Sequence, residues 1–557
     1  MDRHEERFKA EKEMLQKWRN SLHQGTSKIK IICLDFPIFS ERTFPSRIAM
    51  MPELTSTEAL PWKARKKIEQ EDDEENVEPI VSSKVYSLSV PGSNNLNDSF
   101  FPGEYNTSLT LSQNFCFPNL QSICVSRCHK LKSIFSLTIV SSLPNLQSLI
   151  VEECNGLEAV ISPYSIEAAQ HRNLSSPPHQ VSLPKLKTIK ITECRNLRNI
   201  FFRVILSSLP QLELLHIWDC NELEDILCSD EKAIINLPTF SEQVYFPTLQ
   251  KIVIGRCNKL KIIFSLIIVR SLPELVSMSV ILCDELEGVF TFDSEEAGEV
   301  AQISALSQQV YFPKLQEILI AMCEKLKTIF SFTNVTLMPE LSCLQVEDCN
   351  ELEEIFSFDS EEEGQVEQVS APTQQVYFPK LQRIGIRSCN KLKTIFSLII
   401  FRSLPMLESL CVEYCNEWEK VFSQQVCVPK IRIITIQCCD KLKCIFPYSV
   451  AIHCSSLCNI NIQNCSQLEH IVNFELNAKS EQESAGEAVF FNRQEKTKQG
   501  KKNKKKQRKK SGKRILFQKL RQLLLYNLPN LSGTLPWKKS PYCSLRIKDC
   551  PKCLEFT

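Results

Sequence analysis

Cys550 and Cys553 form a lone CxxC, a spacing that holds zinc when a second ligand pair follows. No second pair accompanies them, and Cys553 stands where Leu392 stands in its own stretch of sequence, so a structural role is the simpler reading. "SGKR" at Ser511 carries part of a phosphate-binding loop. Such a loop needs G-x-x-x-x-G-K followed by Ser or Thr, so that backbone N–H groups cradle phosphate, and the upstream glycine and preceding strand are both missing here. No Ser/His/Asp set or clustered His/Cys set suggests another reaction. No catalytic, cofactor-binding or metal-binding residue is assigned, and the chain is read as a non-enzyme with no cofactor.

The remaining cysteines have a different logic. They recur at 128, 154, 194, 220, 257, 283, 323, 349, 389, 415, 439 and 465, with 26 residues across every second interval. Self-similarity at 20 to 50 residues is the mark of a stacked repeat. Aligning the cysteines gives "LQSLIVEEC" from Leu146, "LELLHIWDC" from Leu212 and "LSCLQVEDC" from Leu341, or LxxLxIxxC with Val alternating for Ile. Two apolar residues separated by one variable residue describe a short half-buried strand. Leu146, Leu149 and Val151 point inward, and Cys154 follows where the chain turns, its S–H able to meet turn carbonyls. "KLKTIF" or "ELEEIF" then adds a third apolar layer.

This is the leucine-rich repeat pattern. It predicts an α/β solenoid: a horseshoe or arc with a parallel β-sheet on the concave face and loops or short helical turns on the convex side. The expected order is a charged helix at 1–22, an irregular linker with degenerate turns at 23–115, about 12 turns at 116–474, a disordered insertion with a basic run at 475–514, and terminal repeats at 515–557. "KLK" and "ELE" alternate from turn to turn, which places opposite charges on adjacent rungs and disfavours a slipped register.

Charge balance, with 66 basic and 65 acidic residues, names no polyanionic partner. No run of eighteen apolar residues occurs, so no membrane role is expected and a cytoplasmic location is read. Six Asn-x-Ser/Thr sequons, Asn173 and Asn334 among them, are what an Asn- and Ser-rich chain produces by accident. The run Lys501, Lys502, Lys504, Lys505, Lys506, Arg508, Lys509, Lys510, Lys513 and Arg514 reads as nuclear import, as polyanion binding or as a solvated tether. No aromatic residue interleaves it, which argues against nucleic acid.

Variable strand positions supply the candidate partner site. His216 and Trp218 face outward in the fourth turn, and Ile281, Leu282, Leu319 and Met322 are expected to stand exposed side by side in the sixth and seventh. Arg256 flanks them on one side, Glu347 and Asp348 on the other, and an apolar patch rimmed by charge marks a protein-binding surface. A covering loop or domain is the alternative.

The LxxLxIxxC turns, "FPKLQ" starts and "SLPNLQSL" phrases resemble the leucine-rich repeats of plant intracellular disease-resistance (NBS-LRR) receptors, over about three quarters of the chain. "LRIKDCPKCLEF" resembles their closing turn, where "CPKL" is usual. "HEERFKAEKEMLQKWRNSL" from His4 is similar to the last helix of a TIR domain, with Trp18 in place, and that domain's catalytic glutamate matches no residue here. The resemblance implies a ligand-sensing and autoinhibitory module in defence. Its partners would be a pathogen effector, a guarded host protein or receptor domains in trans. Alternatives are a general scaffold or decoy without signalling, and an extracellular receptor fragment suggested by "LSGTLP" from Leu531.

Overall fold

The computed structural model describes residues 80–81, 86–91, 98–99, 115–116 and, between Pro118 and Cys553, the repeat turns themselves; residues 1–79 and the stretches between turns, the longest of them 162–182, 291–311, 358–377 and 474–516, lie outside the described residues. The helix expected at 1–22 and the basic run at 501–514 therefore fall outside them. Two compact units divide at Val77, and the repeats belong to the second.

Each LxxLxIxxC phrase is a five-residue strand. Fifteen such strands, from Ser87–Pro91 to Ser544–Lys548, form one parallel sheet in chain order. Twelve of them lie between residues 116 and 474, and the first lies inside the segment read as irregular linker. Register is kept throughout, as in Leu149↔Ile189, Ile191↔Ile217 and Leu215↔Ile252. Second and fourth strand residues point to the core because side chains alternate. Leu149, Val151, Ile318 and Ile320 are at most 1% exposed, continuous with the cysteine column and the leucine three residues beyond it.

What ends fourteen of the fifteen strands of the large sheet is a residue in the left-handed region. In fourteen turns from Arg127 to Asp549 this residue has φ between 51° and 58°, and none of the fourteen is glycine. The turn lets its N–H extend the ladder: Arg127 donates to the Glu152 carbonyl, Glu153 to Thr192 and Met322 to Glu347, at 2.9, 2.9 and 2.8 Å. It also swings the following cysteine inward. Cys154, Cys349 and Cys439 are fully buried, and their thiols donate to the carbonyls of Glu152, Glu347 and Gln437 at 3.5, 3.3 and 3.3 Å.

Beyond the cysteine, the expected loops or helical turns are in large part a second column of strands. Leu131–Phe135, Ala159–Ile161, Asn199–Phe202 and Asp225–Cys228 pair in parallel, as do the four strands from Ile262–Phe264 to Glu354–Ser357. Their apolar, β-branched and aromatic residues suit a pleated surface, and each neighbouring turn supplies a matching edge. Tyr448–Ala451 is the one helix among the described residues.

Alternating charges do pair across rungs. Lys259 meets Glu222 at 2.5 Å, Lys325 meets Glu285 at 2.6 Å and Lys391 meets Glu351 at 2.5 Å. Each side chain is roughly half exposed, so water screens the attraction and the pairs act mainly on register. The long insertion does not interrupt stacking, since Asn459–Gln463 pairs with Gln522–Tyr526 in full register. Loop-closure entropy grows only slowly with length, which makes such an insertion cheap.

Burial pushes the thiols of Cys220, Cys415 and Cys465 up to about 12. Thiolate is the reactive species. In the native protein at neutral pH, brief alkylation should therefore spare Cys220, Cys415 and Cys465 and mark half-buried Cys343, Cys438 and Cys458 first. Peptide mass mapping reads this directly, and rapid labelling of Cys220 or Cys415 would show the column to be open.

Candidate functional site

First, third and fifth strand residues form the outer face of the large sheet. Their rows run across the strands in register. The fifth-position row reads Glu152, Thr192, Trp218, Gly255, Ile281, Ala321, Glu347, Arg387 and Glu413. The third-position row holds Lys190, His216, Val253, Ser279, Leu319, Gln345 and Gly385.

The face departs from the sequence reading at its centre. Ile281 sits beside Ala321, and Leu319 beside Ser279, so the two large side chains are diagonal neighbours rather than side by side. Ile281, Leu319 and Met322 are half-buried, and Leu282 is only 6% exposed. The expectation of four exposed apolar side chains is thus corrected: neighbouring strands stand close enough to shield much of each, and Leu282 belongs to the packed edge. Leu282 and Met322 occupy the left-handed position, at φ of 58° and 55°.

Trp218 also differs from expectation. It is 8% exposed because its indole lies over Gly255 on the next strand, where an added Cβ would stand 2.1 Å from the ring. His216 packs edge-on against it, with ring centroids 6.5 Å apart. Burial first, then Lys190 and Lys251, lower the His216 pKa to about 4, so its imidazole is neutral at physiological pH. Arg256, on the same turn as Gly255, pairs with Asp219 at 3.8 Å. Trp218 thereby closes one end of the apolar strip.

At the other end the charges are partly desolvated. Glu347, expected on a solvated rim, is 4% exposed and accepts a hydrogen bond from the Gln345 amide. Burial raises its pKa, as it raises those of Glu317 and Glu413. Arg387 lies between Glu347 and Glu413 in the fifth-position row, and its guanidinium stands 5.8 Å from the centre of the Tyr414 ring. Sequence inspection missed Arg387, Glu413 and Gly255, although aligning the turns puts all three in the row of Ile281. The Trp218–Gly255 complement of large and small was the legible signal.

A carboxyl with a raised folded-state pKa binds its proton more tightly folded than unfolded. Its contribution to stability is present below the unfolded pKa and lost as pH rises through the folded one. Glu347→Gln, which keeps an acceptor for Gln345, should raise the melting temperature at pH 7. The gain should vanish by about pH 4, below the ordinary glutamate value of about 4.3. Asp348 and Glu413 act in the same sense and Arg387 against it. Equal gains at both pH values would mean that the carboxylate charge is not the cause.

Among the described residues no group of three or more His, Cys, Asp or Glu is arranged to hold a metal ion, and no helix is long and apolar enough to cross a membrane.

The sequence model described as plant disease resistance protein RPS2-like, leucine-rich repeats, matches residues 105–155, 173–221, 296–373 and 369–416. No curated protein matches the chain. Among solved structures, the pneumococcal vaccine antigen PcpA is similar at 12% identity, over 73% of this chain and 89% of that one, with a TM-score of 0.17. CroV588, described as a novel circular LRR protein, is similar at 12% identity over 70% and 52%, with a TM-score of 0.28. TLR13 in its complex with ssRNA13 is similar at 14% identity over 72% and 62%, with a TM-score of 0.21.

Proposed function

We propose that this leucine-rich repeat solenoid is a non-catalytic protein-interaction module, the ligand-sensing and autoinhibitory repeat region of a plant disease-resistance protein acting in the defence response. The observation that carries the reading is the outer face itself, fifteen strands in register with an apolar strip bounded by desolvated charge. The match to resistance-protein repeats supports the defence setting. The partner is a protein: a pathogen effector, a guarded host protein or receptor domains in trans.

Affinity capture from plant tissue, with quantitative binding of the captured protein, tests the reading. Ile281→Asp combined with Met322→Asp should weaken binding at least tenfold, about 1.4 kcal/mol. Glu152→Ala with Glu153→Ala, near the other end of the sheet, serves as the control. Equal binding by both variants would place the interaction elsewhere. A scaffold or decoy differs from a sensing module in leaving receptor signalling in trans unchanged. The run Lys501–Arg514 is proposed to carry nuclear import, tested by replacing its lysines with glutamine and following a tagged chain in cells.

A further inference from the structure

The last strand of the large sheet, Ser544–Lys548, pairs on one side only, with Gln522–Tyr526. Alternate residues of a parallel strand turn their N–H and C=O groups to opposite sides. The Ser544 N–H donates back to the Arg521 carbonyl at 2.8 Å, and the Lys548 carbonyl accepts from the Asn527 N–H at 3.0 Å. The N–H and C=O of Leu545 and Ile547 therefore point to the open edge. A row of this kind is a template for a further strand.

The core is incomplete at the same place. Ile460, Ile462, Leu523 and Leu525, the second and fourth strand residues of the two preceding turns, are at most 1% exposed. Leu545 and Ile547 hold those positions in the last turn and are only half-buried, packed on the core from one side. Apolar side chains of one more strand would cover the other side, removing that surface from water.

Charge selects the strand. Lysines of earlier turns pair with glutamates on a neighbouring rung, as Lys190 does with Glu152 at 2.6 Å, and the last ion pair along the described residues is Lys441–Glu417. From Phe517 to Cys553 the described residues hold Lys519, Arg521, Arg546, Lys548 and Lys552 against Asp549 alone, none of them in an ion pair. Lys548 stands 5.4 Å from the centre of the Tyr526 ring, Asp549 follows it in the turn, and Lys552 donates to Asn530 at 2.7 Å. Arg546 and Lys548, exposed third and fifth strand residues, share the outer face about 6.8 Å apart. An extended segment repeats its face at that same distance. Acids two residues apart would thus meet both cations as cross-strand pairs, while the residues between them turn toward the core beside Leu545 and Ile547. Cations on an edge repel basic strands and leave uncharged ones with two charges unmet.

A second copy of the chain does not supply such a strand. Two Ser544–Lys548 strands paired antiparallel over their full length would set Arg546 opposite Arg546, like against like. Ser87–Pro91, at the other end of the sheet, has Ser89 and Pro91 at the third and fifth positions and no acid.

We infer that the open edge of Ser544–Lys548 receives an extended segment of a partner protein as an added strand, in which Asp or Glu at i and i+2 alternates with apolar residues. This rests on the reading of the chain as an interaction module, with the contact at the end of the sheet and apart from Ile281 and Met322.

A fluorescein-labelled seven-residue peptide of alternating valine and glutamate, titrated against the full chain, tests this. Arg546→Glu combined with Lys548→Glu should weaken binding at least tenfold and should bind instead the peptide with lysine in place of glutamate. The melting temperature should not move, because both side chains are exposed. N-methylation of the peptide nitrogens along one edge should abolish binding, and methylation along the other edge should not, since only one edge of an added strand meets Leu545 and Ile547. Equal binding by the two methylated forms would mean that the cations attract carboxylates without strand pairing, and overturns the proposal. So does an absence of binding, or equal binding by a peptide of the same composition in scrambled order. Dimerisation of the full chain that the double variant abolishes would give the edge to a second copy and overturns it too. The captured-partner measurement at Ile281 and Met322 decides the interaction reading separately.

Discussion

Phe446→Ala should be among the most damaging single truncations in the carboxyl half, costing about 3–5 kcal/mol. Phe446 is fully buried and joins two neighbours, with ring centroids 5.6 Å from Phe422 and 5.5 Å from Phe517. Phe517 opens the turn that follows the long insertion, so Phe446 couples the repeats on either side of it. Repeat arrays need not unfold in one step. The effect should therefore be local, with amide exchange accelerating first in strand Gln522–Tyr526 and its neighbour Ser544–Lys548. Unchanged protection in those two strands, with stability lost elsewhere, would show that the aromatic contact does not link the segments.

Gly255→Val should disturb the outer face most. A Cβ there would stand 2.1 Å from the Trp218 ring, and a valine adds two methyl groups, so the indole must leave the adjacent strand. Overpacking of this kind costs about 1–3 kcal/mol. The released ring would uncover His216 and disorder one end of the apolar strip. Partner binding should fall at least tenfold, and tryptophan emission should shift to longer wavelength. Trp218→Ala in the same chain should recover most of the lost stability, because it removes the clash. A double variant no more stable than Gly255→Val alone would mean that the valine acts on the backbone, not through the ring.

Much of this protein is written one turn at a time. Cysteines 26 residues apart and two apolar residues with one between them specify strand, facing and register, because side chains alternate along a strand and a one-residue slip would turn the core outward. Leu149, Val151 and Cys154 are buried where that grammar puts them. Alternating "KLK" and "ELE" likewise announce the pairs Lys325–Glu285 and Lys391–Glu351. A single turn does not reveal its own left-handed residue, since Arg127, Leu282, Tyr414 and Asp549 share one backbone shape but no chemistry.

The outer face was decided by stacking. Whether Ile281 meets Ala321 or Leu319, whether Trp218 stands up or lies over Gly255, and whether Glu347 keeps its water all depend on residues 26 to 40 positions away in sequence. Core positions escape this dependence because they have one acceptable environment, the apolar interior, which every turn provides alike. A face residue has several, and only the side chains on the two adjacent strands select among them. Sequence thus determined the repeat, its strands and its buried column; tertiary contact determined which outward residues are available to a partner, because exposure on a sheet is a property of three neighbouring strands rather than of one.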